Sequence, residues 1–338
     1  MPINHAIVLD NRPEAEVSTS NFKMVTAETP ALQDGQVLVK NHYLSLDPYM
    51  RGRMNAGKNY AQPQPLGEPM IGGTVGEVAE SKNAKFKVGQ TVQCMGGWQA
   101  YSLINADMPG ALKHVNAEKI SMSHYLGAVG MPGVTAWYGL NKIIQAKPGA
   151  TVTVSAASGA VGSAYGALAK ARGFRVVCIA GGKAKCDYVV NELGFDACID
   201  YKAHTDYISL SKALRDACPN GIDGHFENVG GMVLDAVMLR ANDFSRIAVC
   251  GMIAGYNGEP LAMTNPTLIL KSRMTIEGFI VSEHMEVWPE ALAELAELIA
   301  SGKFNPRQTI AQGLASAPEA FMGLLKGHNF GKQVVKLI

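Results

Sequence analysis

The sequence predicts an α/β chain in which a doubly wound parallel sheet is joined to an irregular antiparallel β domain. Three observations predict it. From about residue 126 to 302, strand-like and helix-like segments alternate, as the crossovers between parallel strands require. Up to residue 125, short alternating runs are cut by Gly and Pro without helical periodicity. One β-branched run, Thr151–Ser155, opens directly onto a glycine-rich turn and a stretch of small residues.

In the first part, 36–41 (QVLVKN), 73–78 and 90–93 read as strands separated by turn formers. In the second part the order is regular. Thr151–Ser155 is a strand, 163–172 a helix ended by Gly173, and Arg175–Ala180 the next strand. A helix over 183–193 is closed by Gly194, and strands follow at Ala197–Asp200, 225–227, 246–250 and 274–280. A last strong helix covers 289–300, and 332–338 (KQVVKLI) reads as a strand returning to the first domain. The expected division is therefore 1–125 completed by 303–338, and 126–302.

Composition narrows the function classes. Thirty Lys+Arg against twenty-nine Asp+Glu leave +1, so neither nucleic acid nor an anionic membrane is favoured electrostatically as a partner. The first residues, Met1-Pro2-Ile3-Asn4-His5, do not form a signal peptide, and no apolar run has the length of a bilayer span. The expectation is a cytoplasmic protein whose six scattered cysteines are reduced thiols.

The turn Ala157-Ser158-Gly159-Ala160-Val161-Gly162 follows a strand and precedes a helix, the context that gives A-x-G-x-x-G its meaning. Gly159 lets backbone approach a pyrophosphate, Gly162 lets the helix pack on the strand, and the helix start offers N–H groups and partial positive charge. Ala157 replaces the first glycine of the usual pattern. About 20 residues on, an NAD site carries an acid for the ribose 2′-hydroxyl. Here Ala180-Gly181-Gly182-Lys183-Ala184-Lys185 stands instead, with no acid before Asp187. Lys185 and the Gly182 backbone suit a 2′-phosphate, so the cofactor expected is NADPH.

Metal ligands are missing where a zinc dehydrogenase would carry them. The segments Tyr43-Leu44-Ser45-Leu46-Asp47 and Glu68-Pro69-Met70-Ile71-Gly72 hold neither Cys nor a His-Glu pair, and no cluster of four cysteines follows. Cys94 and His42 read as packing or surface residues, and no metal is expected.

Several separate segments carry a resemblance. They are 44–54 (LSLDPYMRGRM), the glycine turn, 227–231 (ENVGG), the stretch from Cys250-Gly251 to Tyr256-Asn257, and 324–332 around Asn329-Phe330-Gly331-Lys332. With these the chain resembles the zinc-independent medium-chain dehydrogenases/reductases of the alkenal and prostaglandin double-bond reductase type, nearest the bacterial curcumin/dihydrocurcumin reductase branch. The resemblance implies a GroES-like domain and a Rossmann domain. It implies a homodimer and reduction of the C=C bond of α,β-unsaturated ketones and aldehydes. That chemistry needs no Lewis acid, because hydride at the β-carbon leaves an enolate that hydrogen-bond donors can stabilise.

By resemblance, Gly159, Ala160, Val161 and Gly162 carry the pyrophosphate, and Gly182, Lys185 and Tyr201 the adenosine phosphate end. Asn228, Cys250, Gly251, Met252, Ile253, Ala254, Gly255, Tyr256, Phe279, Ile280, Val281 and Asn329 surround the nicotinamide half. Tyr256 is the candidate for enolate stabilisation, with Tyr49 beside it. Tyr49, Arg51, Ser282 and His284 are the substrate-binding candidates. Relatives often place a Tyr just after Val281, whereas this chain has Ser282-Glu283-His284, which puts prostaglandin specificity in doubt. The alternatives are a quinone reductase of the same superfamily and an NADPH-binding structural or regulatory protein.

Overall fold

The computed structural model describes residues 2–338. It divides into two compact units, 1–127 with 308–338, and 128–307. In the first unit the strands are β1 (Ile3–Leu9), β2 (Phe22–Glu28), β3 (Gln36–Ser45), β4 (Thr74–Ser81), β5 (Thr91–Cys94), β6 (Tyr101–Asn105) and β7 (Leu112–His114). The second unit contributes β8 (Thr151–Ser155), β9 (Arg175–Ala180), β10 (Ala197–Asp200), β11 (Ile222–Glu227), β12 (Ala241–Val249) and β13 (Thr275–Gly278). The chain then returns to the first unit as β14 (Gln308–Gln312) and β15 (Lys332–Lys336).

The first unit is built on a seven-stranded sheet in the order β14-β15-β3-β4-β5-β7, with β6 on β3 and a separate β1-β2 ribbon. Its pairs are antiparallel with one exception that the sequence pattern did not disclose. β14 and β15 run parallel, because a helix, Ala317–Leu325, carries the chain from one to the other. That helix buries Ala317, Phe321 and Leu324, one face at helical spacing. Phe321 meets Trp98 edge to face at 5.7 Å in a core shared with Leu44, Leu46, Met50 and Val335. The 44–54 segment thus supplies core residues as well as the short helix Tyr49–Arg53. A buried ion pair fixes it: Lys332 Nζ donates to Asp47 Oδ1 and to Leu46 O, both at 2.7 Å.

The second unit is a six-stranded sheet in the order β10-β9-β8-β11-β12-β13, parallel throughout. The order runs outward from β8 in both directions, so the switch point lies between β8 and β11. β8 is buried at every position, as a central strand covered on both faces must be. Helix Ala160–Ala171 begins three residues earlier than its apolar periodicity suggested, since the glycine turn itself enters the first helical turn. Its small residues let it pack closely: a Cβ on Gly166 would sit 2.2 Å from the Phe195 ring. Across the same unit, Trp137 Nε1 donates to Glu294 Oε2 at 2.6 Å, and Arg172 also reaches Glu294.

Candidate active site

The parallel sheet delivers its loops at the C-terminal ends of the strands, where the switch point opens a crevice. The turn after β8 is tight. Ala156 is in the left-handed region at φ 49, and Gly159 N–H donates to Ala156 O at 2.9 Å. A Cβ on Gly162 would lie 2.5 Å from that oxygen, so only glycine fits there. Ala157 is accommodated because the unusual backbone angle falls on Ala156 instead. Gly159 is the N-cap of the helix and no side chain caps it, which suits the first-turn amides to an anion.

The lysine loop lies beyond β9. Asp200, at the end of β10, accepts from Gly182 N–H at 2.7 Å and from Lys202 N–H at 3.0 Å, tying this loop to Tyr201 and Lys202. The Tyr201 ring and the Lys202 stem cover Gly181, whose Cβ would meet them at 2.8 and 3.1 Å. Half-buried Lys185 has its ammonium pulled below the usual value, first by burial and then by the neighbouring Lys202. Two cations near enough to repel suit a doubly charged phosphate. Lys202 was not singled out from the sequence, because only the β9–β10 pairing brings it beside Gly182.

The loops after β11, β12 and β13 converge beside the switch point. Asn228 donates to Ser155 O at 2.8 Å, and Cys250 Sγ donates to Asn228 Oδ1 at 3.1 Å. Burial and the nearby Glu227 carboxylate push the Cys250 thiol up, which keeps it a donor. Val249, Cys250, Gly251, Met252, Tyr256, Phe279 and Ile280 line a depression of about 410 Å³. Ile253, Ala254 and Gly255 form the single turn that carries Tyr256, whose hydroxyl accepts from Met252 N–H at 3.4 Å. Val281 is buried behind Ile280, and its carbonyl accepts from Trp288 Nε1 at 3.3 Å. Ser282 is exposed, while His284 stacks on Tyr138 at 4.2 Å, and Tyr138 on Phe279 at 5.2 Å. Tyr138 is a second residue that sequence reasoning missed, since it lies in a helix far upstream of Phe279.

Three candidates belong to the first unit. Tyr49 opens its short helix, and burial, reinforced by the Asp47 carboxylate, drives its phenol far up and keeps it protonated. Asn329 is half-buried, with its amide donating to Gly331 O at 2.7 Å. Arg51 is held by its own unit. It is 2 % exposed, and its guanidinium donates to Ala15 O and Asn55 Oδ1, both at 2.7 Å.

Among the described residues, no three His, Cys, Asp or Glu side chains are grouped so as to hold a metal ion. Cys94 is buried against Thr74 Oγ1 at 3.3 Å, and His42 lies 4.0 Å from Glu77.

Two family models match, the N-terminal domain of oxidoreductase over residues 5–112 and zinc-binding dehydrogenase over 160–297. The chain is 40% identical to the NADPH-dependent curcumin reductase of Escherichia coli (strain K12), over 99% of this chain and 97% of that protein. It is 43% identical to the 2-alkenal reductase (NADP(+)-dependent) of Nicotiana tabacum, over 98% and 95% respectively. The crystal structure of CurA in complex with NADPH from Vibrio vulnificus superposes with a TM-score of 0.92 at 42% identity, covering 99% of each chain. The chain belongs to the medium-chain dehydrogenase/reductase family, in its group of curcumin, alkenal and prostaglandin reductases.

Proposed function

We infer that this chain reduces the C=C bond of α,β-unsaturated ketones and aldehydes with NADPH. The observation that carries the reading is a convergence at the C-terminal ends of one parallel sheet. An uncapped helix start, a lysine loop suited to a 2′-phosphate and a lined depression occur there together. The names of the similar proteins, a curcumin reductase and a 2-alkenal reductase, support the same substrate class.

The residues present fit the cofactor. Only glycine fits at 162, where a Cβ would meet Ala156 O, and with Gly159 as N-cap the first-turn amides of Ala160, Val161 and Gly162 would hold the pyrophosphate. Gly182, Lys185, Tyr201 and Lys202 would hold the 2′-phosphate end. Asn228, Cys250 to Tyr256, and Phe279 to Val281 would surround the nicotinamide half. When bound, NADPH supplies the hydride that adds to the β-carbon of the enone. The protein's task is then electrostatic: negative charge grows on the substrate carbonyl oxygen and needs a donor. Tyr256 is proposed for that role. Proton transfer to the α-carbon from a nearby donor or water completes the saturated product. Ser282 and His284 would shape the substrate wall.

The test is NADPH consumption against a panel of curcuminoids and 2-alkenals, with quinones alongside. Alkene reduction supports the reading. Quinone turnover alone points to the quinone reductase alternative, and tight NADPH binding without turnover points to a binding protein.

We also propose a homodimer in the cytoplasm. β13 ends the sheet with Thr275, Glu277 and Gly278 exposed, and such an edge can pair with a second copy. Light scattering on the purified protein gives the oligomeric mass. No helix of the described residues is long and apolar enough to cross a membrane.

A further inference from the structure

Glu227 is fully buried and takes no part in the chemistry above, yet it sits where three loops meet. Its Oε1 accepts from Ser155 Oγ at 2.5 Å, Val229 N–H at 2.6 Å and Gly230 N–H at 3.1 Å. Its Oε2 faces His225 Nε2 at 3.0 Å. A carboxylate only accepts, so Nε2 carries the ring proton, and Thr153 Oγ1 meets Nδ1 at 2.7 Å. A buried charge persists only where donors surround it, and here there are four.

The loops after β8, β11 and β12 are tied back to Glu227, through its carboxylate or its backbone carbonyl. Ser155 ends β8 just before the dinucleotide turn, and its Oγ also accepts from Asn228 N–H at 2.7 Å. Val229 and Gly230 are the loop after β11, where Gly230 and Gly231 adopt left-handed φ values of 80 and 55. The loop after β12 hangs in turn from that one. Cys250 N–H and Gly251 N–H donate to Glu227 O at 3.1 and 3.3 Å, Ile253 N–H to Asn228 O and Ala254 N–H to Val229 O, both at 3.1 Å.

We propose that Glu227 is a positioning residue, holding the loops after β8, β11 and β12 in the arrangement that receives the nicotinamide half of the cofactor. This rests on the NADPH reading above. Leucine at 227 keeps apolar bulk but leaves the Ser155 hydroxyl and two amides without their acceptor. Glutamine keeps one acceptor oxygen for the same three donors. Its amide can donate to His225 Nε2 once the ring proton moves to Nδ1 and Thr153 becomes the acceptor.

The experiment measures dissociation constants of the full-length protein for NADPH and for 2′,5′-ADP, which reproduces only the adenosine phosphate end. Circular dichroism checks the fold of each variant. Glu227→Leu should weaken NADPH binding about 30-fold and change 2′,5′-ADP binding by less than about two-fold, with most of the NADPH affinity restored in Glu227→Gln. Wild-type NADPH affinity in Glu227→Leu overturns the proposal, as does an equal loss of both ligands. If Glu227→Leu does not fold, Ser155→Ala makes the same comparison with an expected NADPH loss of about five-fold. A wild-type protein that binds no NADPH at all contradicts the proposed function itself, and this inference with it.

Discussion

At the residue scale, Lys185 and Tyr256 have separable effects. If Lys185 meets the 2′-phosphate, Lys185→Ala loses a charged hydrogen bond of about 1.5–3 kcal/mol, raising the KM for NADPH at least ten-fold. The KM for NADH, which lacks that phosphate, should stay put; equal rises would remove the assignment. Tyr256→Phe should lower kcat by about 100-fold with little change in NADPH affinity, the cost of deleting one donor to developing negative charge. Wild-type turnover in that variant would take Tyr256 out of the chemistry. The sequence showed these residues because a glycine turn and a lysine loop are local patterns. It could not show Lys202, Tyr138 or Glu227, whose surroundings depend on strand pairing and helix packing. Nor could it show that Arg51 donates to Ala15 and Asn55.

At the element scale, the turn and the buried carboxylate set the conditions under which the sheet's loops keep their shape. Gly162→Ala forces a methyl group to within 2.5 Å of Ala156 O and should cost about 1–3 kcal/mol, read as a lower Tm and weaker NADPH binding. An unchanged Tm would mean that the turn can relax. For Glu227, burial alone would raise the pKa, but bonds from His225, Ser155 and Val229 outweigh it, and the folded value falls below the ordinary 4.5. A depressed carboxyl contributes stability that is present above the unfolded value and lost as pH falls through the folded one. The Tm should therefore drop on acidification below about pH 4.5, and Glu227→Gln should flatten that limb. The strands were legible where a compact β-branched run stood alone: β8, β9 and β10 have the ends the pattern indicated. β11 and β12 extend further upstream, because glycine, charged and polar residues there are held by neighbouring strands and not by local propensity.

At the scale of the whole molecule, residues far apart in the sequence close the core of the first unit. Lys332, in β15, is buried against Asp47, a meeting of two motifs that local pattern does not reveal. Lys332→Met should destabilise the protein by about 3–5 kcal/mol in urea unfolding, since Asp47 is left buried and uncompensated. Adding Asp47→Asn should recover part of the loss, and a neutral single variant would show that the pair contributes nothing. Dialysis against a chelator should leave enone reduction intact; loss restored by zinc would contradict a metal-free mechanism. The most direct measurement is the stoichiometry of purified protein with NADPH and a 2-alkenal, following cofactor absorbance and identifying the product by mass spectrometry. One NADPH should be oxidised per saturated aldehyde formed, with the carbonyl retained. An allylic alcohol as product, or flat absorbance from folded, cofactor-loaded protein across the enone panel, would contradict it.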